Sequence, residues 1–381
     1  MAGEAVVGGV LSGTSADGID VALARFAGGP RGLRLAEPLA GATVPFPEAL
    51  RDEVRAVLDG EPCDLRRAAL LGRDLGRAFG RAAREVARSA GLELDLLGSH
   101  GQTVYHHDDR EPSGPATLQL GDGCHVAEEA GCPVVSDLRQ RDVAAGGEGA
   151  PLSAYGDEVL FAGAQRPLAI LNLGGMANLT WLPESGPPLA FDVGPAGALL
   201  DGLARRLLGR PWDEGGAVAA RGRADPAWVE AGLDHPFLHA PPPKSTGRDT
   251  FGEAWVEARV VPGARPEDLL AGAVLLVARA VAGAAEAFLP GRPGGLHVAG
   301  GGVHNAALMR ELRRECGLPV VSTAALGVVP DRREALVFAA LAARAAVGEA
   351  STDPRTTGAA RGRILGKWSA GKPVADPLEG G

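Results

Sequence analysis

Along this chain, short apolar runs typical of strands alternate with stretches in which apolar residues recur at helical spacing. Two β-like runs, Ala5 to Leu11 and Ile19 to Phe26, are joined by the polar loop SGTSADG. Asp64 opens a stretch up to Ala90 in which apolar residues recur on one helical face. The opening of the chain therefore predicts strand, loop, strand and helix.

The same pattern returns in the second half of the chain. Pro167 to Leu173 and Asn178 to Leu182 predict two strands around a Gly-Gly turn, and Leu189 to Val193 predicts a third. Pro266 to Phe288 predicts a long helix, and GLHVAGGGVHN predicts a strand, a triple-glycine turn and a helix capped by Asn305. Alternating strands and helices indicate an α/β fold, and the repeated opening suggests two related halves with a cleft.

Composition narrows the function classes. A chain of 381 residues suggests two domains, and its net charge of −9 argues against a broad nucleic-acid surface. Four cysteines without a CxxC pair, and an N-terminus without a basic segment, indicate a cytoplasmic protein. The longest apolar run, Leu269 to Ala278, is too short to cross a bilayer, so we expect no membrane partner.

The loop SGTSADG carries the first candidate chemistry. Glycine lets backbone amides approach an anion and the hydroxyls add donors, while Asp17 and Asp20 suit Mg²⁺, directly or through water. A nucleotide–Mg²⁺ complex fits both, and a tight turn with local hydrogen bonds is the alternative. It is not a Walker loop, because no lysine follows and the next element reads as a strand.

Further candidates follow four other strands. Asp192 in FDVGPAG could activate a nucleophile or hold metal-bound water, or simply stabilise its own turn. The glycines of AGGGVHN could pass beneath a flat ligand or a phosphate, or form a tight turn. GSHGQT and SDLRQRD could contact a hydroxylated, anionic substrate through Arg139 or Arg141, or be solvated loops.

Nine motifs stand in register from about Gly9 to Gly366: SGTSADGIDVAL, GSHGQTVYH, LQLGDG, VVSDLRQRDVAAGGEGAPL, NLGGMANLT, FDVGPAGALLDG, PPPKSTGRDTF, GGGVHNAALM and TGAARGRILG. Together they resemble the anhydro-N-acetylmuramic acid kinase family. The resemblance implies a two-domain actin-like α/β fold with a central ATP and substrate cleft. It places residues 1–135 with 353–370 in the first domain, 136–352 in the second, and 371–381 in a loose tail.

The implied reaction belongs to peptidoglycan recycling in bacteria. Water opens the 1,6-anhydro ring of anhydro-N-acetylmuramic acid while ATP phosphorylates the 6-oxygen, which gives N-acetylmuramic acid 6-phosphate and ADP. Mg²⁺, ATP and a small amino sugar are the implied ligands, and a homodimer is an open expectation. Alternatives are a kinase for a different amino sugar and a catalytically weak actin-like sensor that binds ATP or muropeptides.

The resemblance also implies site residues. Asp192 matches the catalytic Asp, which takes a proton from the attacking water, and Asp17 with Asp20 lies near the metal. The implied sugar or lactyl contacts are Gln102, Asp137, Arg139 and Asn178. The implied ATP-binding positions are Gly13, Thr14, Ser15, Ala16, Asp17, Gly18, Ile19, Asp20, Gly174, Gly175, Gly300, Gly301 and Gly302.

The chain departs from the family pattern at three places. Val193 stands where the family commonly has Thr, and Ala198 where it has Asn. Gly156 and Asp157 occupy a position that usually carries His. The lost hydroxyl and amide are expected to weaken a sugar or phosphate contact, whereas Asp192 is kept.

Overall fold

The computed structural model describes residues 3–13, 16–107 and 114–371, which form two compact units. The first unit contains the chain up to Gly163 and from Glu334 onward, and the second contains Ala164–Arg333. The first unit is therefore discontinuous in sequence, and it includes residues 136–163 and 334–352.

The described strands form one sheet in each unit. Strands of the first sheet are β1 (Glu4–Ser12), β2 (Ile19–Ala27), β3 (Arg34–Val44), β4 (Leu96–His107), β5 (Ala116–Leu120), β6 (Val134–Ser136) and β12 (Lys367–Ser369). Strands of the second sheet are β7 (Leu168–Leu173), β8 (Met176–Leu182), β9 (Leu189–Pro195), β10 (Leu296–Ala299) and β11 (Val320–Ser322).

Both sheets follow one plan around their first strand. In the first, β1, β2 and β3 form an antiparallel meander, and β4 and β6 add in parallel on the other side of β1. In the second, β7, β8 and β9 form the meander, and β10 and β11 add in parallel beside β7. The shared order confirms the repetition that the two glycine-bearing hairpins predicted.

Helices complete both units. They are α1 (Glu48–Leu58), α2 (Leu65–Ser89), α3 (Gly123–Ala130), α4 (Gln140–Val143), α5 (Ser153–Leu160), α6 (Gly197–Leu208), α7 (Pro226–Leu233), α8 (Pro236–His239), α9 (Arg248–Phe251), α10 (Glu253–Glu257), α11 (Pro266–Phe288), α12 (Ala306–Cys316), α13 (Arg333–Ala346) and α14 (Pro354–Thr357). Short 3₁₀ helices span Glu214–Gly216, Ala219–Arg221, Gly301–His304, Thr323–Leu326 and Pro330–Arg332.

Two predicted helix starts are confirmed in atomic detail. The Asp64 carboxylate accepts the Arg67 amide at 2.7 Å, which caps α2. The side-chain Oδ1 of Asn305 accepts a hydrogen bond from the Leu308 amide at 2.9 Å and caps α12. Each cap satisfies a backbone donor that the helix itself leaves unpaired.

Helix α11 is the core helix of the second unit. By length and composition alone it is apolar enough to cross a membrane. However, 67% of its most apolar stretch of 18 residues is buried inside the protein. It contacts α6, α7 and α12, so its apolar residues face neighbours on several sides. Burial on several sides accounts for its composition.

Paired glycines let α13 lie directly on the first sheet. Gly9 of β1 and Gly98 of β4 are neighbours in the parallel ladder. A Cβ on Gly9 would overlap the Ala335 carbonyl oxygen, and one on Gly98 would overlap that of Phe338. The backbone of α13 therefore occupies the space that a side chain at Gly9 or Gly98 would need.

Gly9→Ala is expected to lower the free energy of unfolding by about 1–3 kcal/mol, because the added methyl pushes α13 off the sheet. Gly72→Ala in α2 is the matched control, since nothing lies within 4 Å of its added Cβ. That control is expected to gain about 0.5–1 kcal/mol from helix propensity. Urea unfolding of both variants checks the pair, and equal stabilities would contradict the close approach.

Candidate active site

A backbone hydrogen bond joins the two described sides of the loop between β1 and β2. The Ala16 amide donates to the Gly13 carbonyl at 3.1 Å, and Ala16 has a left-handed φ of 49°. A Cβ on Gly18 would lie 2.6 Å from Thr43 Cγ2, so this position needs glycine. Thr14 and Ser15, also predicted to bind ATP, lie outside the described residues.

Both predicted metal-side carboxylates have protein partners. The Arg55 guanidinium contacts Asp17 Oδ1 at 2.9 Å, although the Asp17 side chain is 70% exposed. The Thr43 hydroxyl donates to Asp20 Oδ1 at 2.6 Å. These contacts fix the two carboxylates near the start of β2, in the hairpin that β1 and β2 form.

Gln102 joins β4 to this hairpin. Its side chain is fully buried, and its Nε2 donates to the Gly13 carbonyl at 3.2 Å. Its Oε1 is buried and has no hydrogen-bond partner among the described residues. The structure thus places a predicted sugar contact beside the predicted phosphate loop.

Arg139 is oriented by a histidine that the sequence analysis did not single out. Arg139 Nε donates to His100 Nε2 at 2.9 Å, and its Nη1 donates to the Gly149 carbonyl at 2.6 Å. His100 Nδ1 lies 3.2 Å from the Gly101 carbonyl, and Phe338 packs against the ring. Burial, reinforced by the Arg139 charge, holds the pKa of His100 well below its ordinary value, so the ring is a neutral acceptor for Arg139.

Asp137 leaves the end of β6 in a strained conformation. Its φ is 52°, and its Oδ2 pairs with Lys367 Nζ at 2.6 Å. Lys367 lies on β12, which pairs with β6. The C-terminal strand therefore supplies the cation that Asp137 contacts.

Asp192, the predicted catalytic residue, lies on β9 and is 8% exposed. Its backbone amide donates to the Lys244 carbonyl at 3.1 Å. The Thr246 amide donates to Asp192 Oδ2 at 2.9 Å. The segment from Lys244 to Thr246 thus fixes both the strand and the carboxylate.

Lys244 is a functional candidate that the sequence analysis quoted within a family motif but did not assign to the site. Its ammonium donates to the carbonyls of Phe237 and Leu238 at 3.0 and 3.3 Å. The rings of Phe237 and Phe288 lie 4.8 and 4.9 Å from Nζ. Burial lowers the pKa of Lys244 to about 8, and the Asp192 charge opposes that shift. Nothing in the local sequence PPPKST indicates that this lysine lies close to Asp192 in space.

Polar residues form a row across the second sheet. Asn172 pairs with Asn178 in the β7–β8 ladder, and Asn178 pairs with Asp192 in the β8–β9 ladder. Directly paired residues share one face of an antiparallel sheet. Asn178 Oδ1 and Thr246 Oγ1 are both buried without a hydrogen-bond partner among the described residues.

The predicted glycine turns at residues 174–175 and 300–302 follow two adjacent strands, β7 and β10. Gly300 has a φ of 81°, and a Cβ on it would lie 2.7 Å from the Leu173 carbonyl oxygen. The Gly174 and Gly175 carbonyls accept amides from the start of α6, at residues 196 to 198. Nothing lies within 4 Å of a Cβ built on Gly175 or Gly301. A Cβ on Gly302 would meet the Leu173 side chain.

The structure also locates the departures from the family pattern. Val193 is buried in the core of the second unit, so its missing hydroxyl is replaced by packing. Gly156 packs against Val337 of α13, where a Cβ would lie 2.7 Å from Cγ1. The Ala198 amide donates to the Gly175 carbonyl at 2.9 Å. Val193 and Gly156 therefore pack closely where they stand, whereas the Ala198 contact is made by the backbone and does not depend on its side chain.

Comparison with known proteins decides the family. The sequence model described as anhydro-N-acetylmuramic acid kinase matches residues 5–370. The chain belongs to the anhydro-N-acetylmuramic acid kinase family. It is 42% identical to the anhydro-N-acetylmuramic acid kinase of Xanthomonas oryzae pv. oryzae over 94% of this chain and 95% of that one. It is 41% identical to that of Burkholderia orbicola over 94% of both chains.

Membership in the anhydro-N-acetylmuramic acid kinase family confirms the predicted activity class: the protein is a kinase. The predicted α/β fold with two related units is confirmed as well, since both sheets have the same strand order. Among solved structures, the chain is similar to the activator of the 2-hydroxyisocaproyl-CoA dehydratase from Clostridium difficile with bound ADPNP. That likeness has a TM-score of 0.45 and 16% identity, and covers 88% of this chain and 94% of that one.

Proposed function

We propose that this kinase opens the 1,6-anhydro ring of anhydro-N-acetylmuramic acid with water and phosphorylates its 6-oxygen with ATP, in cytoplasmic peptidoglycan recycling. The observation that carries the proposal is the buried carboxylate of Asp192, which a backbone amide holds at the end of a polar row. Relatives that are 41% and 42% identical and carry this activity in their names support it.

In this reaction Asp192 is the general base. It accepts a proton from the water that attacks the anomeric carbon, while the bond from that carbon to the 6-oxygen breaks. A negative carboxylate also favours the positive charge that develops at the anomeric carbon. The 6-oxygen takes the γ-phosphoryl group, and ADP leaves.

The first unit is proposed to bind the ATP phosphates through the hairpin loop that Gly13 begins. Within residues 3–13, 16–107 and 114–371, no group of three or more His, Cys, Asp and Glu residues is placed to hold a metal ion. The hairpin carboxylates fit Mg²⁺, which takes most of its ligands from phosphates and water and needs only one or two carboxylates. Asp17 and Asp20 would hold it, and the ion would neutralise phosphate charge.

A labelling assay tests the function. The purified protein, Mg–ATP and anhydro-N-acetylmuramic acid react in ¹⁸O-labelled water, and mass spectrometry reads the product. We expect one heavy oxygen at the anomeric carbon and none in the phosphate. Unlabelled product held in the same water without protein controls for exchange. Turnover with another amino sugar alone, or ADP release without a phosphorylated sugar, would contradict the proposal.

A further inference from the structure

Two buried oxygen atoms near Asp192 are without partners. Asn178 Oδ1 and Thr246 Oγ1 are sealed from solvent, and neither has a hydrogen-bond partner among the described residues. A buried polar atom left unpaired destabilises the folded protein. Such atoms are expected to pair with a ligand.

Both atoms belong to residues that flank the Asp192 carboxylate. The Thr246 amide lies 2.9 Å from Asp192 Oδ2, which brings the Thr246 side chain to the same carboxylate. Asn178 is the cross-strand partner of Asp192, so the two side chains share one face of the sheet. An acceptor, a hydroxyl and a base therefore converge on one small region.

An attacking water needs this set of neighbours. Its two protons require two acceptors, and one lone pair must point at the reacting carbon. The other lone pair accepts a hydrogen bond, which a threonine hydroxyl donates. Buried waters in proteins usually make two to four such contacts.

We propose that Asn178 and Thr246 bind the attacking water, an inference that rests on the proposed function. The Asp192 carboxylate accepts one water proton, Asn178 Oδ1 accepts a hydrogen bond from the other, and the Thr246 hydroxyl donates to the water oxygen. As the new bond from oxygen to the anomeric carbon forms, the proton passes to Asp192. The electron pair of the broken anomeric bond goes to the 6-oxygen, which takes the phosphoryl group as ADP leaves.

Thr246→Val and Asn178→Leu test this assignment. Thr246→Val removes the hydroxyl and keeps the backbone amide that contacts Asp192. Each variant is expected to lose about 10-fold in kcat, with KM for the sugar and for ATP changed less than about 2-fold. Thr246→Ser keeps a hydroxyl and is expected to restore kcat. The assay measures product formation in ¹⁸O-labelled water at varied concentrations of sugar and ATP.

Thr323→Val is the matched control. Thr323 is fully buried in the same unit, and its hydroxyl has no partner among the described residues, but it lies outside the polar row. Its variant is expected to keep the kcat of the wild type. Where Thr246→Val fails to fold, Thr246→Ala gives the same comparison.

The outcomes separate this inference from the proposed function. A rise in KM for the sugar at unchanged kcat would overturn the inference, since the two residues would then bind sugar instead of water. Unchanged kinetics in both variants, or no rescue by Thr246→Ser, would also overturn it. If wild-type protein makes no labelled product, the proposed function itself fails.

Discussion

Asp192→Asn is expected to lower kcat by about 10²–10⁴-fold, the usual contribution of a general base. The amide has nearly the same shape as the carboxylate, and its oxygen still accepts the Thr246 amide that now lies 2.9 Å from Oδ2. It accepts no proton at neutral pH, so the attacking water is not activated. ATP binding, measured by calorimetry, is expected to stay unchanged because the nucleotide contacts are assigned elsewhere.

Asp234→Asn is the control for this change. Asp234 is an exposed carboxylate at the end of α7 in the same unit, and its variant is expected to match the wild type. A value of kcat for Asp192→Asn within about 10-fold of the wild type would remove Asp192 from its role.

Lys244→Met is expected to lower kcat by about 10²-fold, because a small displacement of a catalytic group has effects of that size. Methionine keeps the apolar stem but leaves the Phe237 and Leu238 carbonyls without the ammonium that donates to them. The segment from Lys244 to Thr246 then loses its anchor, and with it the amide that fixes Asp192. Product formation and thermal unfolding are measured together, so that a loss of fold is recognised.

The pH dependence of activity tests the charge of Lys244 separately. Burial lowers the pKa of Lys244 to about 8, so the ammonium loses its proton as the pH rises through that value. Wild-type kcat is therefore expected to fall above about pH 8. Lys244→Arg keeps its charge at higher pH, and its alkaline limb is expected to move upward. If kcat of the Arg variant falls at the same pH as kcat of the wild type, the titrating group is not Lys244.

The same titration affects stability with a definite sign. The pKa of Lys244 is lowered in the folded protein from its ordinary 10.5 to about 8. Between these values the unfolded chain binds the proton more tightly than the folded chain. This group therefore makes the free energy of unfolding rise with pH across that window, and below it the buried charge opposes folding.

Local signals predicted much of each unit. Asp64 and Asn305 cap the helices that they were expected to cap, and the predicted helix from Pro266 to Phe288 has the observed bounds. The glycine pattern predicted three strand-end turns, and the repeated hairpin predicted one plan for both units. Strand β3, which is mainly exposed, lacked a strong apolar signal and was missed, and helix α1 was missed although its sequence is amphipathic.

By itself the sequence determined the family and the paired α/β units, and it predicted Asp192 as the catalytic residue, because these depend on motifs that are contiguous in the chain. Only the tertiary structure decided which groups surround Asp192. Lys244 and Thr246 follow it by more than fifty residues, yet they contact its strand and its carboxylate. His100 and Arg139 are also distant in the chain, and they form a hydrogen bond. Such pairs form when packing brings distant segments together, and no spacing along the chain encodes that approach.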